Sequence, residues 1–122
     1  MPLGLNQLSA EEQLALVALV RLAVGADGYA TDDEVKQLRA MIAALGKQTY
    51  LRAAQEADER FSDEEDLWRF LTTIKRPQAR ELIYETVLEA VLADAPSEPE
   101  TKLLDRLTAI WHIKARVVEA PR

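Results

Sequence analysis

Two acidic turns, far apart along the chain, carry the residues whose types and spacing could do chemistry. The first is Ala26-Asp27-Gly28-Tyr29-Ala30-Thr31-Asp32-Asp33-Glu34 and the second is Ala93-Asp94-Ala95-Pro96-Ser97-Glu98-Pro99-Glu100. In each turn an Asp is followed by a hydroxyl residue and then, three positions later, by a Glu. Carboxylates are hard oxygen donors, which favour calcium, magnesium or manganese over copper or zinc. The acids are therefore candidate ligands for a divalent cation, although their spacing is not that of an EF-hand loop.

Each of these acids also has an ordinary structural role. Glu34 and Glu100 fit the reciprocal member of a capping box, in which the side chain bonds back to the amide at the helix start. Asp27 and Asp94 fit Asx-type bonds to the amides of a turn. A capping carboxylate retains a second oxygen, so the two roles are compatible. From the residues alone, ligand and cap stay open as alternatives.

The two turns belong to a repeated helix–turn–helix unit. With Glu34 set against Glu100, apolar positions match on both sides of the turn. The matching pairs are Leu16 with Ile83, Val20 with Val87, Leu38 with Leu104, Met41 with Leu107 and Leu45 with Trp111. This agreement favours a duplication, with repeat units of about 9–46 and 77–113, over chance similarity between capped helix pairs. We expect a pseudo-twofold relation that brings the two acidic turns to one end of the molecule.

Apolar residues recur at helical spacing throughout, with no convincing alternating strand. The expected boundaries are capping pairs Ser9–Glu12 and Ser62–Glu65 at the first and fourth helices, Gly46 after the second and Pro77 opening the fifth. A short last helix is expected around 114–119. We predict a single-domain, all-α bundle of about seven helices over residues 1–122. Its two most apolar helices, the first and the fifth, should lie at the centre.

The composition is that of a folded, acidic domain. The chain has 122 residues, 48% hydrophobic and 30% charged, which excludes a disordered chain and is enough for one core. It has no Cys, which excludes disulfides, thiolate nucleophiles and Cys-ligated zinc. The net charge of −6 disfavours binding to the phosphate backbone, so we expect no nucleic-acid partner.

The most apolar run, 14–24, predicts a buried helix and not a membrane segment. It has 11 residues with only Arg21 as a charge, whereas a bilayer span needs about 20. Glu11 and Glu12 precede it, where a signal peptide would have basic residues. We therefore expect a cytoplasmic protein without a membrane span.

Two further groups have candidate roles. The acidic run from Glu56 to Asp66 is interpreted as a solvated helix corner, with docking of a basic partner as the alternative. His112 is the only histidine and has no identifiable nucleophile or orienting group, so a role at a helix C-terminus is favoured over catalysis. We predict a non-enzymatic protein that acts through a protein partner. The residues leave the partner's identity and the oligomeric state open.

The residues around the two turns resemble the TerB-like family. The resemblance rests on Ala26-Asp27-Gly28 followed by Glu34, on Ala93-Asp94 followed by Glu100, and on the apolar helix before each. It covers roughly residues 9–113. The family includes the tellurite-resistance protein TerB and the N-terminal domain of the DjlA co-chaperone. The resemblance implies an all-helical domain of about seven helices, an association with tellurite and other chemical-stress responses, and no established catalytic activity.

The resemblance also implies a metal-ligand set. The family's acidic motif, proposed to bind divalent metal, falls on Asp27, Glu34, Asp94 and Glu100. Tyr29 stands where family members often carry an acid, and Ala95 with Pro96 replaces Gly in the second turn. These departures predict unequal sites, with the better one anchored on Asp27. The alternative is a metal-independent helical interaction or co-chaperone-like module, in which the acids serve as helix caps.

Overall fold

The computed structural model describes residues 4–24, 32–92 and 98–113. They form a short 3-10 helix, Leu5–Gln7, and six α-helices. The α-helices are α1 (Ala10–Val24), α2 (Asp32–Leu45), α3 (Lys47–Arg60), α4 (Glu64–Leu71), α5 (Pro77–Leu92) and α6 (Glu98–Trp111). No strand lies in these three ranges, and the helices share one hydrophobic core. The predicted all-α fold is confirmed, while the short helix predicted around 114–119 lies outside the described residues.

Helices α1 and α5 form the centre of the bundle, as their apolar sequences predict. Every residue of α1 from Leu14 to Val20 is buried, and α5 buries Ile83 and Val87 completely. The two helices pack extensively against each other, and α3 packs equally extensively against α1. A helix that is apolar around most of its circumference must be covered from several sides. The other helices therefore arrange themselves around this pair.

Local signals in the sequence set several helix ends. At the start of α1 the Ser9 amide donates to Glu12 Oε1 (2.8 Å) and the Glu12 amide donates to Ser9 Oγ (3.2 Å), which is the predicted capping box. Gly46 ends α2, as predicted, with a φ of 106° that side chains rarely adopt. Its carbonyl accepts from the Tyr50 amide (2.9 Å), so α3 begins at once. Pro77 is the first residue of α5, also as predicted.

The start of α4 corrects the prediction by one residue. The expected pair was Ser62 with Glu65, but Asp63 is the N-cap and its Oδ1 accepts from the Asp66 amide (2.9 Å). The Asp66 carboxylate accepts in turn from the Ser62 amide (2.9 Å). Residues 63–66 are all acidic, so the sequence permits two registers of the same capping pattern. Glu65 is unsuited to capping here because Arg106 donates to both of its carboxylate oxygens (3.0 and 3.1 Å).

The helix bounds agree with the predicted duplication. Helices α2 and α6 each have 14 residues, and their first and last residues coincide in the alignment: Asp32 with Glu98, and Leu45 with Trp111. The starts of α1 and α5 coincide likewise. The aligned upstream positions are all fully buried: Leu16, Ile83, Val20 and Val87. The second helices of the two predicted units therefore match in length, whereas α5 is one residue longer than α1.

The C-terminal end of α6 is closed by backbone geometry. His112 has a φ of 55°, in the left-handed region, and the Ile113 amide donates to the Thr108 carbonyl (3.1 Å). This six-residue closure is the Schellman motif, usually built on Gly. His112 thus lies at a helix C-terminus, as predicted, and its backbone supplies the cap.

Candidate functional site

The structure describes two of the four predicted metal ligands, Glu100 in full and Glu34 in its backbone only. Glu100 lies in the first turn of α6, and only 1% of it is exposed. Glu34 is the third residue of α2, but its side chain lies outside the described part of the structure. Asp27 and Asp94 are also outside the described residues. Within 4–24, 32–92 and 98–113, no group of three or more histidine or acidic side chains could hold a metal ion.

The buried carboxylate of Glu100 fits a hard cation in its chemistry. A carboxylate oxygen is the donor that calcium and magnesium prefer, and the first turn of a helix is a place where amides also favour negative charge. The residues before Glu100 in the predicted turn add further oxygen donors. The full ligand set nevertheless remains a prediction from the sequence.

The directions of the central helices bear on where the two turns lie. Arg76, which precedes α5, bonds to Glu12 near the start of α1. Farther along both helices, Val20 and Ala90 line the same groove. Helices α1 and α5 therefore run in the same general direction. Their last residues, Val24 and Leu92, consequently lie toward the same end of the bundle. The proximity of the two turns stays a prediction, because most of their residues lie outside the described ranges.

A second buried carboxylate, Glu12, is held by a cation that the sequence did not reveal. Arg76 donates from Nη2 to Glu12 Oε1 (2.6 Å) and from Nε to Glu12 Oε2 (3.1 Å). Arg76 Nη2 also donates to the Gln7 carbonyl (3.4 Å). This clamp joins the 3-10 helix, α1 and the segment before α5. The capping pair Ser9–Glu12 was predictable, but nothing in the local pattern indicates a partner 64 residues away.

The clamp controls the ionisation of Glu12. Burial would by itself raise the pKa of this carboxyl group, because it penalises the charged form. The hydrogen bonds from Arg76 and from Ser9 favour the charged form and bring the pKa below its ordinary value of 4.5. Glu12 is therefore ionised at neutral pH and acts as a permanent acceptor for Arg76.

The acidic corner predicted between Glu56 and Asp66 is exposed to solvent and rich in arginine partners. Four of its acids form ion pairs within the chain: Asp58 with Arg21 (3.3 Å), Glu56 with Arg60 (3.2 Å), Glu65 with Arg106 (3.0 Å), and Asp66 with Arg69. The pattern supports the interpretation as a solvated corner. Much of its negative charge is already balanced by the protein's own cations.

The ion pair between Arg106 and Glu65 also links α6 to α4. The Arg106 guanidinium lies over the Trp68 ring, 4.4 Å from its centroid, while it bonds to Glu65. Hydrogen bonding to Arg106 lowers the pKa of Glu65 and raises that of Arg106. Trp111 on α6 adds a buried bond from Nε1 to the Leu71 carbonyl (2.8 Å). Both tryptophans are buried and belong to the hydrophobic core.

These features define a small all-helical domain built around two central apolar helices. The family described as tellurite resistance protein TerB matches the chain over residues 13–122. The chain therefore belongs to the TerB family, and it is a TerB-like, tellurite-resistance-associated domain. Searches of curated proteins and of solved structures found no match. Separately, no helix in the described ranges is long and apolar enough to cross a bilayer.

Proposed function

We propose that this TerB-family chain is a non-enzymatic stress-response domain that binds a divalent cation at its two acidic turns and acts through a protein partner. The cation is calcium, magnesium or manganese. The proposed ligands are Asp27, Glu34, Asp94 and Glu100. The observation that supports the proposal most is the burial of Glu100, a carboxylate that is only 1% exposed.

Burial argues for a role of Glu100 beyond solubility. An ionised carboxylate is retained away from water only when it is paired, hydrogen-bonded or coordinated to a metal, because its desolvation costs several kcal/mol. Glu100 interacts with other groups of the protein. Its two oxygens offer about four acceptor positions, so a cap bond and a cation can share one side chain.

The proposed mechanism is local. A cation that neutralises clustered carboxylates and joins two helix starts favours one packing of the two helix pairs. The parallel course of α1 and α5, which the Glu12–Arg76 bond supports, favours a single shared end for the two turns. Ligation there would alter the surface offered to a partner without any catalytic step. His112 lies at the exposed end of α6, and the proposed mechanism does not involve its side chain.

The test is thermal unfolding of chelator-treated protein with calcium, magnesium, manganese or zinc added at matched ionic strength. We expect one hard cation to raise Tm by several degrees, since a ligand that binds only the folded state stabilises it by mass action. The Asp27→Asn/Asp94→Asn variant should lose that rise, and so should Glu100→Gln. A control variant, Glu11→Gln/Glu81→Gln, removes the same charge from exposed positions and should keep it.

The outcomes separate ligation from general charge effects. A Tm that is flat across all four cations would contradict the proposal. An equal rise with the control and the Asn variants would also contradict it, because the cation would then act on net charge. Isothermal titration of the wild type with the responsive cation would give the stoichiometry, which distinguishes one site anchored on Asp27 from two.

A metal-independent interaction module remains the second candidate, and one observation favours it. Where the structure describes capping acids at helix starts, at α1 and α4, their carboxylates bond to amides as caps. If the same holds at α2 and α6, the acids of the two turns stabilise helices and the chain acts through its surface alone. The cation series decides between the two functions.

A further inference from the structure

A groove lies between α2 and the two central helices, α1 and α5. Its volume is about 250 Å³. Eight of its eleven lining residues are apolar: Leu5, Val20, Leu38, Ala40, Met41, Ala44, Leu82 and Ala90. Val20, Met41 and Ala90 belong to the buried core, so the floor of the groove is continuous with it. The groove is therefore an apolar surface on a rigid base.

Three polar residues line the groove: Gln37 from α2, and Thr86 and Glu89 from α5. Thr86 uses its hydroxyl within α5, donating to the Leu82 carbonyl (2.8 Å). Glu89 brings a carboxylate to the α5 edge of the groove and is exposed to solvent. Glu81 and Glu85 are also exposed and precede Glu89 by two turns and one turn. Together the three residues form a line of negative charge beside the groove, which we call the α5 acidic stripe.

The α5 acidic stripe differs from the acidic corner between Glu56 and Asp66. Four acids of the corner pair with arginines of the same chain. Neither Glu81 nor Glu89 forms an ion pair with any residue in the described parts of the chain. At Glu81 and Glu89 an approaching molecule therefore meets negative charge that no described cation pairs with, next to apolar surface.

The groove has the dimensions of a short helix contact. Its lining on α5 runs from Leu82 to Ala90, roughly 12 Å along the helix axis. Two turns of a docked helix cover that distance and present apolar side chains at i, i+3 or i+4, and i+7. Positive side chains on the flank of such a helix would meet Glu89 and Glu81. A fatty acid, an anionic bilayer or a nucleic acid would instead bring negative charge to negative charge.

We propose that the groove between α2 and α5 binds a basic amphipathic helix of a partner protein, whose apolar face fills the groove and whose Lys or Arg side chains pair with Glu81 and Glu89. The inference deepens the proposed protein-interaction role and rests on it. It specifies the chemistry of the partner and the surface that binds it.

The test uses designed helical peptides as probes. A set of fluorescein-labelled peptides of about 14 residues carries Leu at i, i+3 or i+4 and i+7, with Lys on one flank; a second set has Glu in place of Lys. The fluorescence anisotropy of the peptides measures binding. The amide chemical shifts of the protein, followed on titration, locate it. We expect the Lys peptides to bind at least about tenfold more tightly than the Glu peptides, and to weaken as salt rises. The shifted amides should cluster in 37–44 and 82–90.

Two protein variants locate the binding. Ala44→Phe places a large side chain at an exposed position that lines the groove, and it should weaken the Lys peptides at least about tenfold. Ala43→Phe, next to it on α2 and also exposed, is outside the lining and should leave binding unchanged. Glu81→Lys/Glu89→Lys should reverse the preference between the two peptide sets. Circular dichroism checks that each variant retains the wild-type helix content.

Several results would overturn the inference. They are no binding by any Lys peptide at millimolar concentration, equal binding of both sets, or identical losses with Ala44→Phe and Ala43→Phe. Self-association that Ala44→Phe abolishes, or binding to phosphatidylglycerol vesicles through this groove, would replace the helix with another occupant. All titrations are run with chelator and with calcium. A flat cation response in Tm then rejects the metal site alone, whereas failure of the peptides rejects the groove alone.

Discussion

Helices α2 and α6 occupy aligned places in the two predicted repeat units, yet their surroundings differ. Side chains link α6 to α4: Trp111 donates to the Leu71 carbonyl, and Arg106 is held by Glu65 and Trp68. Helix α2 instead borders the open groove. Two helices with aligned apolar positions therefore differ in what lies beside them, because the neighbouring elements differ.

The two buried glutamates show the same divergence at a smaller scale. Glu12 and Glu100 each follow a Ser by three positions, and both are buried. Glu12 receives Arg76 from a distant segment and joins parts of the bundle. Glu100 lies at an acidic turn, where the proposed cation would act. The same local pattern therefore serves either a structural clamp or a candidate ligand, according to what the fold brings beside it.

The largest expected effect compares aligned core positions on the two helices. Leu107→Ala should lower the free energy of unfolding by about 3 kcal/mol, since Leu107 is fully buried and leaves an enclosed cavity. Met41→Ala, at the aligned position, should cost about half as much because one side of Met41 already faces the groove. Urea unfolding followed by circular dichroism measures both. Equal losses would show that α2 is packed as tightly as α6.

The next effect concerns the two buried glutamates. Glu12→Gln should lower the free energy of unfolding by about 1–2 kcal/mol at neutral pH, because a charge-assisted bond to Arg76 becomes a neutral one. It should keep the Tm response to cations, which Glu100→Gln should lose. Urea unfolding at pH 7 and the cation series measure the two properties. A Glu12→Gln variant that loses the cation response would erase the distinction between the two carboxylates.

The same clamp predicts a pH dependence. The folded-state pKa of Glu12 lies below its ordinary value of 4.5, so its contribution to stability is complete above about pH 4.5. That contribution is lost as the pH falls through the folded-state pKa. Between about pH 6 and pH 3, the urea midpoint of the wild type should fall more steeply than that of Glu12→Gln. Parallel curves would mean that Arg76 does not depress this pKa.

The smallest expected effect concerns the N-cap of α4, the helix to which α6 is linked by side chains. Asp63→Ala removes the N-cap of α4 and should cost about 1 kcal/mol. Ser62→Ala, the cap expected from the sequence, should change stability by less than about 0.5 kcal/mol, because Ser62 contributes only its backbone amide. Thermal unfolding compares the two variants. The opposite ranking would restore the register predicted from the sequence.

Sequence alone was sufficient for the features that depend on near neighbours along the chain. The apolar spacing of 14–24 and 82–92 predicted the two central helices, and Ser9 with Glu12, Gly46 and Pro77 predicted helix ends. At α4, four successive acids allowed two cap registers, and Arg106 of α6 forms hydrogen bonds with Glu65. For the candidate site, the four proposed ligands come from the sequence, and the structure adds the burial of Glu100.

Helix formation and the caps of α1, α2 and α5 were determined by the sequence by itself, because hydrophobic periodicity and caps act within one or two turns. The TerB family relation was likewise carried by short motifs and their apolar flanks. Tertiary structure alone decided that Arg76 clamps Glu12, that Trp111 of α6 bonds to α4, and that α2 leaves a groove beside the α5 acidic stripe. These features depend on which distant side chains meet, and pairwise contact across 40 or more residues leaves no periodic signal in one sequence.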